Sequence, residues 1–125
     1  MLRTGHKILT GIIIALGLLH VLVTFHDYDS FNIRALWFAS AGVAIILAGF
    51  LNIILLRDVG KDRVVWLLCV VANLIFAVMF VLALLILPHP QVFAGAGLFI
   101  VVTLISVIRP RGQAAAQQRH APDRE

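Results

Sequence analysis

The chain has 125 residues, of which 62% are hydrophobic and only 13% charged, with a mean hydropathy of +1.04. A soluble domain averages about 45–50% apolar and about 25% charged residues, so this composition excludes an ordinary water-soluble enzyme and an intrinsically disordered chain. A single cysteine excludes an intrachain disulfide framework and a zinc ribbon, and the formal charge of +4 has to be assigned to a surface.

Charge placement draws the map. The first uncharged stretch, Ile8 to Phe25, follows Arg3 and Lys7 and precedes His26-Asp27-Tyr28-Asp29-Ser30, which contains no small-x-small cleavage site, so it reads as a permanent membrane helix and not a signal peptide. Within and just before it, His6, Thr10, Ile13, Gly17, His20 and Thr24 recur at alternating spacings of four and three, which places them on one stripe of the helix. Asp29-Ser30 then offers an N-cap, predicting that the second helix starts near Ser30.

The second span runs from Ala35 to Leu56. Ala41-Gly42 and Ala48-Gly49 recur one heptad apart, with Asn52 three residues beyond, so small residues and an amide share a face suited to close helix packing. After a basic loop the third span, Val64 to Leu87, carries Trp66, Cys69, Asn73, Ala77 and Phe80 at helical spacing. Pro88-His89-Pro90-Gln91 is too short a link for anything but adjacent helices, and the fourth span, Val92 to Ile108, opens with Ala94-Gly95-Ala96-Gly97 and carries Thr103 and Ser106 further on. Residues 112–125 read as a disordered cytoplasmic tail behind a single transmembrane domain, 1–111.

Each span is near the length of about 20 residues that a helix needs to cross a bilayer, and lipid leaves the backbone no other partner than its own helix. The expected fold is therefore all-α: an antiparallel four-helix transmembrane bundle. Arg3 and Lys7, the basic loop Arg57, Lys61 and Arg63, and the C-terminal Arg109, Arg111, Arg119 and Arg124 fall on one side, against Arg34 alone on the other. That asymmetry predicts both termini in the cytoplasm and assigns the positive charge to a membrane face. No interleaving of aromatic and basic residues accompanies it, so nucleic acid is not expected as a partner.

Few polar atoms remain to carry chemistry. A helical rise of about 1.5 Å per residue puts Asn52 roughly 8 Å, Thr103 roughly 9 Å, Asn73 roughly 15 Å and His20 roughly 20 Å from the cytoplasmic edge, a ladder of different depths. As a wet track in an oligomer, His20, Asn73, Asn52 and Thr103 would pass a proton or a small polar solute; as packing groups, they would bond neighbouring helices. His6 and His20 share a face, but no other span offers the opposed histidines that a bis-histidine haem requires, so no cofactor is expected. His26 and His89, with Asp27 or Asp29, are loose candidates for an outer metal site without motif spacing. Cys69 lacks a second thiol, and no catalytic triad, HExxH, Walker loop or dinucleotide fingerprint occurs, so an enzyme is not expected.

The stretch Ala35-Leu36-Trp37-Phe38 followed by Gly42 and Gly49, together with Leu19-His20, resembles uncharacterised small bacterial four-transmembrane-helix proteins. The resemblance covers the first hairpin and implies a fold and a membrane, without an activity. The functional expectation is an integral protein of a bacterial plasma membrane acting by helix–helix association with itself or a membrane partner through Gly17, Ala41, Gly42, Ala48 and Gly49. The alternative is the oligomeric transporter or channel built on the polar track.

Overall fold

The computed structural model describes residues 2–27, 30, 32–57 and 62–118, with the backbone alone at positions 27 and 109–118. Four helices make up the described chain: α1 (Leu2–Asp27), α2 (Ile33–Leu56), α3 (Arg63–Leu84) and α4 (Pro90–Gln118). All four are long and apolar enough to cross a membrane, and no strand occurs among the described residues. Their outward surfaces are Leu, Ile, Val and Phe, with Leu22 at 66% and Phe25 at 71% exposure. Water would penalise such a continuous apolar surface, whereas lipid is its natural solvent, so the chain is a multi-pass membrane protein.

The helix ends differ from the charge boundaries for local reasons. Charged residues at the polar border do not interrupt a backbone ladder, so α1 already includes Arg3 and Lys7. The cap of α2 is Asn32 and not Ser30: the Asn32 Oδ1 accepts from the backbone N–H of Arg34 at 2.9 Å and Ala35 at 3.1 Å. Asp62 caps α3 in the same way, its Oδ1 accepting from Val64 N–H at 2.8 Å. That helix ends at Leu84, and Leu85 to Leu87 form a tightened turn, because Pro88 disfavours helical backbone in the residue before it. Pro90 opens α4, where its missing N–H costs nothing. α4 continues through the stretch 112–118, expected from its polarity to be irregular; Gln113-Ala114-Ala115-Ala116-Gln117-Gln118 consists of strong helix formers. Residues 119–125 of the expected tail lie outside the described residues.

The helices pack in cyclic order, α1 on α2, α2 on α3, α3 on α4 and α4 back on α1. The most extensive contacts lie within the pairs α1–α2 and α3–α4. In the first pair the backbones nearly touch: a Cβ on Gly17 would sit 2.8 Å from the Gly42 carbonyl oxygen and 2.9 Å from the Ile46 nitrogen, and one on Gly49 would strike the Ile14 side chain. Glycine is needed there because nothing larger fits between two main chains. In the second pair the Phe99 ring, fully buried, stacks against Phe76 at 4.9 Å and Phe80 at 5.6 Å between ring centroids. Gly95 leaves the room that the Phe80 ring occupies. Ile13, Ile45, Ala48, Ala77, Phe99 and Val102 form the shared apolar core.

Candidate functional site

One residue or more from each helix enters a single buried polar cluster. On α1, the stripe beginning at His6 turns inward, with His6, Thr10, Ile13, Gly17 and Thr24 all buried. On α2, Asn52 continues the face of Ala48 and Gly49; on α3, Cys69 and Asn73 lie one turn apart; on α4, Ser106 faces them. His6, Asn52, Cys69, Asn73 and Ser106 each have no exposed surface.

Asn52 is the hub. Its Nδ2 donates to the Ala48 carbonyl at 2.9 Å and to Asn73 Oδ1 at 2.8 Å, while its Oδ1 accepts from Asn73 Nδ2 at 3.1 Å. The two amides are thus bonded reciprocally. The same Oδ1 faces His6 Nε2 at 2.8 Å and receives the Cys69 thiol at 3.4 Å. Asn73 Nδ2 also reaches Ser106 Oγ at 3.4 Å and Cys69 Sγ at 3.6 Å.

This arrangement fixes the protons. Rotating the Asn52 amide by half a turn would turn its oxygen to the Ala48 carbonyl and set its nitrogen against that of Asn73, so the orientation is determined by its partners. With the oxygen towards His6, Nε2 of that ring must carry a hydrogen. The bond therefore exists in the neutral Nε2–H tautomer and in the imidazolium alike.

Three outer bonds brace the cluster. Thr10 Oγ1 donates to the His6 carbonyl at 2.8 Å, and the Arg3 guanidinium donates to the Leu56 carbonyl at 3.2 Å. The Trp66 indole N–H donates to the Ser106 carbonyl at 2.9 Å. That carbonyl is the one whose helical partner would be the N–H of residue 110, and residue 110 is proline. The indole of α3 replaces a bond that α4 cannot make for itself. Among the described residues no buried side-chain nitrogen or oxygen lacks a partner.

Of the expected track, the structure brings together Asn52 and Asn73 only. His20, half-buried, stacks its ring on Phe38 at 4.8 Å and donates from Nδ1 to the Leu16 carbonyl of its own helix at 3.2 Å. Thr103 Oγ1 likewise turns back to the Phe99 carbonyl at 2.7 Å. The small residues Gly17, Gly42, Ala48 and Gly49 are buried inside the chain, whereas Ala41 is exposed. His26 and His89 are exposed, Asp29 and the Asp27 side chain lie outside the described residues, and no three His, Cys, Asp or Glu among the described residues stand together as metal ligands. His6, Cys69 and Ser106 join the site although sequence reasoning gave them no part in it. For His6 and Cys69 the signal was the four-and-three spacing on α1 and α3, which marks the inward face irrespective of where the charges lie; no such spacing singled out Ser106 on α4.

No family model, no curated protein and no solved structure matches the chain.

Proposed function

We propose that the chain is a non-enzymatic four-span protein of a bacterial plasma membrane, with antiparallel helices and both termini in the cytoplasm, that acts by association with a neighbouring transmembrane helix of a second copy or a membrane partner. The orientation rests on the placement of nine of the ten Lys and Arg residues on one side. The antiparallel reading is supported by Arg3, at the start of α1, bonding Leu56 at the end of α2, while His20 late in α1 meets Phe38 early in α2.

The observation that carries the proposal is an open apolar groove of about 400 Å³ between α1 and α4, bordered by Leu9, Leu16, Phe93, Ala94 and Gly97. The polar groups of the interior are paired with each other, and Gly17, Gly42 and Gly49 are already engaged within the chain. This groove is open to another helix, and its exposed Ala94 and Gly97 permit close approach.

Gly97→Leu tests the proposal. No atom lies within 4 Å of a Cβ at this position, so the new side chain leaves the backbone into open space. Native mass spectrometry of gently extracted membranes should show the wild-type chain in an assembly and the variant as a folded monomer. A monomeric wild type, or an assembly indifferent to Gly97→Leu, overturns it. Gly49→Leu is the poorer probe, because it collides with Ile14 inside the chain.

A further inference from the structure

A second groove, of about 520 Å³, opens where the first turns of α1 meet the end of α2. Its rim carries Arg3, Lys7 and Arg57, and its floor is Gly11, Ile14 and Ile53. No acidic side chain occurs among the described residues that line it. The three cations are exposed, and the bond from Arg3 to the Leu56 carbonyl holds a guanidinium over the end of α2 while using only part of its donor capacity. Gly11 presents bare backbone, with no atom within 4 Å of where a Cβ would stand. The trough thus continues past the cations, along residues deeper in both helices, towards the apolar part of the chain.

The ligand that complements this shape carries an anion at one end and hydrocarbon at the other. A free phosphate satisfies the rim but leaves the trough empty, and a zwitterionic lipid brings a cation of its own to three cations. Basic pockets between transmembrane helices are suited to acidic head groups on both electrostatic and geometric grounds. We infer that this groove is a binding site for an anionic phospholipid, with the phosphate between Arg3, Lys7 and Arg57 and an acyl chain along Gly11, Ile14 and Ile53.

The test is native mass spectrometry of delipidated protein in neutral detergent, titrated with dioleoyl phosphatidylglycerol, with dioleoyl phosphatidylcholine, and with the first lipid in the presence of inorganic phosphate. Each basic residue near an anionic lipid is worth about fivefold in affinity, so one phosphatidylglycerol should be retained at least about tenfold more tightly than phosphatidylcholine. The variant Arg3→Gln/Lys7→Gln/Arg57→Gln should lose that preference, and Arg34→Gln/Arg63→Gln, which removes charge away from the groove, should keep it. Gly11→Leu, whose Cβ enters open space, puts a side chain into the trough and should weaken retention while leaving every charge in place; this variant decides the matter if the triple variant fails to fold. Equal binding of the two lipids, equal losses in the groove and control variants, or full retention by Gly11→Leu overturns the site. Displacement of the lipid by inorganic phosphate at matching concentration would reassign the rim to a small anion and overturn the lipid.

Discussion

Asn52 and Asn73 bond each other reciprocally through their amides across the interface of α2 and α3, at 2.8 and 3.1 Å. A buried amide pair of this kind is more costly to halve than to remove. Truncating one partner leaves the other with unmet donors and acceptors, a penalty of about 1–3 kcal/mol, and removing the second takes away those unmet groups, although His6 and Ser106 still lose a partner. Asn52→Ala and Asn73→Ala should each destabilise the fold by about 2 kcal/mol, with the double variant costing little more than either single one. Reversible unfolding in mixed micelles measures the cycle, and strictly additive losses would show that the pair is not coupled.

A proton on Nε2 of His6 follows from the orientation of Asn52. The nitrogen-15 spectrum of protein labelled at histidine should show the His6 Nε2 resonance in the protonated range both near neutral pH and in acid, since the imidazolium retains that hydrogen. A neutral ring with its only hydrogen on Nδ1 would be incompatible with the bond to Asn52 Oδ1.

Trp66 and Pro110 form a compensating pair. Trp66→Phe leaves the Ser106 carbonyl without its indole donor, and the loss should be about 1–3 kcal/mol. In a Pro110→Ala background a backbone N–H becomes available to the same carbonyl, so Trp66→Phe should cost less there. Thermal unfolding of the four proteins of this cycle supplies the comparison, and an equal cost in both backgrounds would refute compensation.

The glycines fall into two classes that substitution separates. Gly17→Ala drives a methyl group into the α2 backbone at 2.8–2.9 Å, and forcing the helices apart should cost about 1–3 kcal/mol. Gly11→Ala and Gly97→Ala enter open space and should be neutral or stabilising by about 0.5–1 kcal/mol, because alanine suits a helix better. Melting temperatures in one detergent rank them, and a stable Gly17→Ala protein would contradict the close contact.

The number and order of the helices were legible because the bilayer requires long uncharged runs, and the inward faces of α1 and α3 were legible from spacing. Depth was not. Counting from the last charge placed Asn52 and Asn73 at different heights, yet they touch, since Arg57 and Arg63 need not stand at one level: long basic side chains reach water from below it. His6 was passed over for a related reason, as it precedes Lys7 and so lay outside the uncharged run, although its helix and its buried stripe continue through both. The Trp66 bond to Ser106 depends on the crossing of α3 and α4, which no local pattern encodes.

The polar cluster joins residues near the start of α1 and α3 with Asn52 near the end of α2 and Ser106 in the second half of α4, so the directional bonds between helices gather towards one end of the helix bundle. Farther along, the contacts are glycine against backbone and ring against ring, which hold by packing alone. The molecule should therefore resemble a clothes peg, held most firmly at the end with the polar cluster and parting more readily at the other. Its slow amide exchange should be concentrated around Asn52 and Asn73 and decline towards Phe25, Trp37, Leu85 and Phe93, making the end remote from the cluster the part that yields first when another helix or a lipid presses in.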